Sequence, residues 1–201
     1  PNHRITMLFS IATAALGFQG AAPMRSSGVT MAIRDSAGIT APFGYFDPVG
    51  LMSNDEQQKD FARYQEVEIK HGRLAMLAAA GFLVGEQFHP LFGGEVNNPS
   101  AFAFQQTPLQ TFWPAVVAFI GAIEIATSVP TFQDPSIETF KMKDPSRIPG
   151  DMGLFGGKDK MKSNPAAFKA TQSKEINNGR LAMLAIAGMV AQELVTGTKL
   201  F

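Results

Sequence analysis

The stretch that decides the fold is Glu-Ile-Lys-His-Gly-Arg-Leu-Ala-Met-Leu at residues 68–77, because a close copy, Glu-Ile-Asn-Asn-Gly-Arg-Leu-Ala-Met-Leu, follows at residues 175–184. The offset between the copies is 107 positions, and it still holds outside the core of the motif, as for Glu86 and Glu193. Spacing that stays constant over this length indicates an internal repeat.

Each copy places a glutamate and an arginine at the head of an apolar run, where an unpaired charge is costly. Positions five apart lie about 140° around a helix axis, so Glu68 does not face Arg73. The arginine side chain leans back toward the start of its helix and can meet a glutamate one turn earlier on a neighbour. The sequence therefore predicts crossed pairs, Glu68 with Arg180 and Glu175 with Arg73, related by a two-fold axis between two helices.

Composition limits the class of protein. The chain has 201 residues, which suits one domain, and 17% of them are charged, while Phe, Met, Gly and Ala are abundant. It has no cysteine, which excludes disulfides, thiolate nucleophiles and cysteine-ligated metals. The formal net charge is zero, so no overall attraction to nucleic acid is expected. Composition alone still allows a soluble helical domain.

Start and stop signals predict three helices, at residues 53–88, 107–128 and 164–197. The first opens with a capping box, Ser-Asn-Asp-Glu. The second is expected to be capped by Thr107 with proline at its first position, and the third begins with Asn-Pro and ends at Gly197.

The distribution of basic residues predicts how these helices lie. None of them has 18 uninterrupted apolar residues, so hydropathy alone indicates buried core helices. However, the connection at 89–107 has no Lys or Arg, whereas the connection at 131–163 is rich in both. This alternation predicts three membrane spans with the N-terminus on the basic side. The predicted fold is therefore all-α and integral to a membrane, with three transmembrane helices of which the first and third cross as a two-fold related pair.

Lone-pair donors recur along the two copies. Glu68 and His71 share one helix flank, as do Glu175 and Asn178. Gln192 follows Asn178 by fourteen positions, which returns it to nearly the same face about 21 Å further along. Donors on separate turns do not converge into one transition-metal shell. They suit separate axial contacts to magnesium ions that already have four equatorial nitrogen ligands.

The two copies of Glu-x-x-[His/Asn]-Gly-Arg-Leu-Ala-Met resemble the light-harvesting chlorophyll-binding family of thylakoid membranes. Two further stretches, Phe-Asp-Pro-Val-Gly-Leu at residues 46–51 and the segment at 117–124, resemble more closely its fucoxanthin chlorophyll a/c branch, from red-lineage algae. The resemblance covers about residues 42–197.

The resemblance implies an axial ligand set for chlorophyll magnesium: Glu68, His71, Glu124, Glu175, Asn178 and Gln192. It also implies that Arg73 and Arg180 form the central ion pairs. Isolated polar residues on apolar helices more often have a structural role, and the repeat reverses that expectation for its own residues but not for Glu124. The sequence departs from the branch at Ala115, where members often have Gln, and at 149–156, which keeps only the start of a second Phe-Asp-Pro box.

By resemblance, the chain is an antenna protein that performs no bond chemistry. The implied pigments are chlorophyll a, chlorophyll c and fucoxanthin or related xanthophylls such as diadinoxanthin. The implied partners are a photosystem core, with photosystem I favoured, neighbouring antenna proteins and thylakoid lipid, but no nucleic acid. The alternative within the superfamily is a protein that dissipates excitation. An enzyme would need a nucleophile and a base within reach, and with no cysteine and only His3, His71 and His89 the sequence offers no such set.

Residues 1–31 are expected to be a bipartite plastid targeting sequence. His3 and Arg4 precede an apolar run at 7–16, and a basic, serine-containing tract at 24–27 follows it. Residues 32–201 are then the three-helix chlorophyll-binding domain. In a plastid thylakoid membrane, its N-terminus is expected on the stromal side and its C-terminus in the lumen.

Overall fold

The structure is a computed structural model, and it describes residues 33–52, 60–88, 90–94, 96–133, 141–144, 147–153 and 156–200. Over these residues the chain is helical and has no β-strand, with a single antiparallel bridge between Phe132 and Met142. The described residues include four α-helices with both ends described: α1 (Phe61–Gln87), α2 (Phe112–Ser128), α3 (Gly157–Ser163) and α4 (Pro165–Thr196). Two short 3-10 helices, Leu91–Gly94 and Ala103–Gln106, lie between α1 and α2.

Helix α1 carries the first copy of the repeat. It is 27 residues long and ends where Phe88 becomes extended, at φ −139°. The Phe88 amide still donates to the carbonyl of Val84, which closes the last turn of the helix. The capping box predicted at 53–56, like the targeting sequence at 1–31 and His89, lies outside the described residues.

Helix α2 begins later than predicted. Thr107 does not cap it: its hydroxyl donates to the Phe104 carbonyl at 2.5 Å and accepts from the Trp113 indole at 2.7 Å. Residues 108–111 form a turn, so the helix begins at Phe112 and ends at Ser128, the predicted end. The prediction of the start was wrong because the threonine side chain bonds locally to an upstream turn instead of the first helical amides.

Helix α4 carries the second copy and has the predicted ends. The Asn164 side chain accepts from the Ala167 amide at 3.1 Å, with proline at the first helical position. At the other end Gly197 adopts φ 65°, the left-handed conformation that glycine tolerates. The short helix α3, which the sequence analysis did not predict, precedes it.

Helices α1 and α4 cross where both helices have glycine. A Cβ on Gly72 would lie 2.9 Å from the Gly179 Cα, and a Cβ on Gly179 would lie 2.8 Å from the Gly72 Cα. Only glycine permits backbones to approach this closely. Ile69 and Ile176, which occupy equivalent positions in the two copies, are buried beside the crossing.

By length and composition, one described helix could cross a membrane, namely α4. Helix α2 is apolar but has only 17 residues. Few hydrophobic side chains are buried within the described part of the chain: Ile33, Ala37, Ile69, Ala75, Val96, Ile176 and Ala182. Many of the large apolar side chains on the described helices are instead exposed.

Candidate functional site

The charged residues of the repeat meet at the crossing. The Arg73 Nε donates to Glu175 Oε1 at 2.7 Å, and the Arg180 Nε donates to Glu68 Oε1 at 2.6 Å. Each arginine therefore pairs with the glutamate of the other copy. Both glutamate side chains are about one-third exposed, at 34% for Glu175 and 33% for Glu68.

Two loops provide further hydrogen-bond acceptors for the arginines. The Arg180 Nη1 donates to the Gly38 carbonyl at 2.7 Å, and the Arg73 Nη2 donates to the Gly150 carbonyl at 2.9 Å. Both glycines have positive φ, 86° and 82°, and a Cβ on either would press on an isoleucine of the crossing. The sequence analysis did not identify these glycines, because loops carry no periodicity that would relate them.

The loops are also anchored in equivalent ways. Gln65 donates to the Ala37 carbonyl at 3.1 Å, and its counterpart Gln172 donates to the Pro149 carbonyl at 3.0 Å. Each loop thereby receives hydrogen bonds from both long helices. Orientation of the arginines is thus fixed by main-chain groups as well as by charge.

Among the described residues, each ion pair uses only one oxygen of its glutamate. In the part of the chain that the structure describes, the protein donates only to Oε1 of Glu68 and of Glu175. Oε2 of each side chain has a lone pair available, and the arginine neutralises the carboxylate charge. A hard oxygen on a neutral pair is the kind of donor that magnesium accepts.

The ring of His71 is oriented by its own helix. Its Nδ1 lies 2.8 Å from the Val67 carbonyl, which can only accept, so Nδ1 carries the proton. The neutral ring then has its lone pair on Nε2, and the side chain is exposed. A second hydrogen bond that fixes the tautomer is typical of metal-ligating histidines.

The two predicted amide ligands are also accessible. Asn178, the counterpart of His71, and Gln192, near the other end of α4, both have exposed side chains. The structure separates them along the helix, as their spacing requires, so neither shares a site with the other.

Glu124, the predicted ligand of α2, has a partner that the sequence analysis missed. Its Oε2 lies 3.3 Å from the Lys70 ammonium on α1 and accepts from the Ser128 hydroxyl at 2.6 Å. Its Oε1 has no hydrogen-bond donor among the described residues. The missed signal is the charge difference between Lys70 and its repeat counterpart, Asn177.

Two cavities flank the crossing at equivalent positions of the repeat. One has a volume of about 520 Å³ and the other about 830 Å³. The first is lined by Gly150, Gln172 and Glu175. The second is lined by Gln65 and Glu68, the repeat counterparts of that glutamine and glutamate, and by Gly38.

The helix faces around the donor atoms are apolar and exposed. Leu74 and Leu77 of α1 are 68% and 74% exposed, and Leu181 and Leu184 of α4 are 67% and 75% exposed. These leucines are repeat counterparts, so the same open apolar surface occurs twice. Rows of exposed leucine beside a free nitrogen or oxygen donor suit large apolar ligands with one metal each.

Comparison with known proteins gives one family. Residues 34–194 match the chlorophyll A-B binding protein family. A light-harvesting complex stress-related protein 3.2 of Chlamydomonas reinhardtii is 42% identical over 195 residues, which cover 94% of this chain and 74% of that protein. A fucoxanthin-chlorophyll a-c binding protein of Isochrysis galbana is 37% identical over 195 residues, which cover 92% of this chain and 90% of that protein. Both relatives are chloroplastic.

Proposed function

This chain belongs to the light-harvesting, chlorophyll A-B binding protein family, and from that premise we propose that it is a thylakoid antenna protein that binds chlorophylls and carotenoids and passes excitation to a photosystem. The observation that carries the proposal is the duplicated donor set at the crossing. Each glutamate is paired with an arginine through Oε1, and the same two helices carry exposed leucines. An enzyme that encloses its own apolar side chains does not need such a surface, whereas flat apolar pigments can bind to it.

In this proposal each axial ligand holds one chlorophyll. The ligands are Glu68, His71, Glu124, Glu175, Asn178 and Gln192. Bound chlorophyll supplies the absorption of light and the transfer of excitation, while the protein fixes separations and orientations. The two ion pairs make the crossing rigid, which keeps the donor atoms at constant positions.

The proposal also includes the membrane topology, the pigments and the partners. Helices α1, α2 and α4 span the membrane, with the first and last related by a two-fold axis, the N-terminus stromal and the C-terminus lumenal. Similarity to the Isochrysis galbana protein supports chlorophyll a, chlorophyll c and fucoxanthin, and we extend the carotenoids to diadinoxanthin. The two cavities beside the crossing suit carotenoid end groups. The partners are other antenna proteins and a photosystem, with photosystem I preferred.

The test is pigment analysis of the purified protein with substitutions at His71. His71→Leu removes the nitrogen donor, so we expect the loss of about one chlorophyll per chain with the helices intact. His71→Asn is the matched control, because asparagine stands at the equivalent position of the other copy. An unchanged pigment content in His71→Leu would contradict the ligand assignment, and a protein that binds no chlorophyll would contradict the function.

A second function, dissipation of excess excitation, is favoured by the similarity to the stress-related protein of Chlamydomonas reinhardtii. The excited-state lifetime of the pigment-loaded protein separates the two. A long lifetime in dispersed detergent micelles supports harvesting. A short lifetime that does not depend on aggregation supports dissipation.

A further inference from the structure

The ten-residue cores of the repeat differ at two positions. His71 and Asn178 are both neutral donors, so that difference leaves the charge unchanged. Lys70 and Asn177 differ by a full positive charge. In a motif otherwise duplicated residue by residue, the cation marks something that one copy does and the other does not.

Among the described residues, Lys70 contacts α2 and the segment that follows it. Its ammonium lies 3.3 Å from Glu124 Oε2, donates to the Ser128 hydroxyl and lies 5.7 Å from the centre of the Phe132 ring. Asn177 instead donates to the Thr40 hydroxyl at 3.0 Å. The same helix position therefore holds the middle helix in one copy and a loop in the other.

Among the described residues, the other contacts of α2 include those at its start, where Phe112 packs edge-on against Phe92 at 5.1 Å and the Trp113 indole donates to Thr107. None of its residues is buried, and its packing against α1 is slight compared with the packing between α1 and α4. Because the ammonium lies beside the last turn of α2, it also opposes the negative end of that helix dipole. A carboxylate on an apolar helix without such a partner would be strongly disfavoured.

We infer that Lys70 is the positioning residue of the middle helix, which it holds against α1, and that it thereby makes Glu124 fit to bind a metal. By occupying Oε2 and neutralising the carboxylate, Lys70 leaves Oε1 as a donor on a neutral pair. This arrangement repeats what Arg73 and Arg180 do for the glutamates of the crossing. The part concerning the metal rests on the proposed function, whereas the holding of α2 does not.

The first experiment compares Lys70→Met with two matched variants of the pigment-loaded protein in detergent. Lys70→Met leaves the carboxylate unpaired, so we expect the loss of about one chlorophyll per chain and a thermal midpoint lower by about 2–4 °C. Lys70→Arg retains the cation and is expected to retain both values. Lys174→Met removes a charge from an exposed site on α4 and should change neither.

The second experiment asks whether Lys70 acts through Glu124. Glutamine at position 124 is a neutral donor that needs no cation, so Lys70→Met should have little further effect on chlorophyll content or thermal midpoint in the E124Q background. An equally large effect in both backgrounds would overturn the inference. So would a K70M protein with the chlorophyll content and midpoint of the original.

The outcomes keep the inference and the proposed function apart. If the original protein holds no chlorophyll, the proposed function fails, while coupling between K70M and E124Q in the thermal midpoint still supports the holding of α2. If chlorophyll is bound but the two substitutions add independently, the antenna function stands and the role of Lys70 is overturned.

Discussion

The two ends of the crossed helix pair stabilise their duplicated glutamates with different partners. Near the crossing, Glu68 and Glu175 are each paired with an arginine and remain about one-third exposed. At the far ends, Glu86 and Glu193 are buried, at 6% and 0% exposure. There the donors include main-chain amides, from Leu200 to Glu86 at 2.9 Å and from Ala101 to Glu193 at 2.7 Å.

Duplicated glutamates of one repeat therefore differ in exposure according to their partners. At the crossing the arginine takes one carboxylate oxygen and leaves the other accessible. At the far ends the carboxyl group of each helix binds the segment that follows the other helix, which joins loop to helix and leaves no access for a ligand. Burial and the identity of the donor decide the role.

The largest effect is expected where the two copies touch. Gly179→Ala places a Cβ 2.8 Å from the Gly72 Cα, so the helices must separate and both ion pairs must lengthen. We expect a loss of more than about 3 kcal/mol of stability, at or beyond the usual range for overpacking, and little recovery of pigment-loaded protein. The measurement is the yield and thermal midpoint of the holoprotein.

Gly188→Ala is the control, because a Cβ there meets nothing within 4 Å. Alanine in a helix interior is expected to stabilise by about 0.5–1 kcal/mol relative to glycine. Similar midpoints for the two alanine variants would show that close approach at the crossing is not needed.

Breaking one ion pair tests the first end directly. Arg73→Leu leaves the Glu175 carboxylate and the Gly150 carbonyl without their donor. Loss of one partner of a buried pair costs about 3–5 kcal/mol, and we expect about 2–3 kcal/mol here because a third of the glutamate is exposed. Arg73→Lys keeps the charge, so its thermal midpoint should lie between those of the original protein and Arg73→Leu. A wild-type midpoint for Arg73→Leu would contradict the role of the pair.

Removing a far-end carboxyl group tests the second end. Glu193→Ala leaves the Ala101 amide without its acceptor, for an expected cost of about 1–3 kcal/mol. Glu193→Gln keeps a carbonyl oxygen at that place and should stay close to the original protein. Hydrogen exchange at the Ala101 amide measures the loss. Faster exchange in both variants would mean that the charge, not the acceptor, holds the loop.

The smallest effect concerns a carboxylate that belongs to neither end. The Met52 and Leu51 amides and the Tyr45 hydroxyl donate to Asp47, and they hold its pKa below the ordinary value of 3.8. An acid with a lowered pKa stabilises the folded loop above that value, and the contribution is lost as the pH falls through the folded pKa. We expect pepsin to cleave the loop at 44–52 increasingly below pH 3.8. Asp47→Asn, digested at the same pH values, corrects for the pH dependence of pepsin itself, so the advantage of the original loop over this variant should shrink as the pH falls. A ratio of cleavage rates that stays constant with pH would contradict the prediction.

The repeat made much of the site predictable. A fixed offset names counterparts, and the need to neutralise charge then selects which arginine faces which glutamate, across 102 positions for Arg73 and Glu175. The ends of α4 were predictable because asparagine followed by proline, and a terminal glycine, act locally. Membership of the family, expected from the motif, is confirmed by the match over residues 34–194.

Contacts outside the repeat were not predictable in the same way. Lys70 and Glu124 are 54 positions apart and have no duplicated partner to relate them. Gly38 and Gly150 act through carbonyl groups, which the residue type does not reveal. The start of α2 was mistaken because Thr107 bonds to a turn upstream, a choice that depends on the neighbouring 3-10 helix.

The exposed leucines of the long helices also bear on how the protein is maintained in a cell. A chain that encloses so few of its own side chains gains little from folding until its ligands arrive, and ligands that bind only the folded form raise its stability by mass action. We therefore expect the steady-state abundance of the polypeptide to follow the rate of pigment biosynthesis, with the surplus removed by proteases.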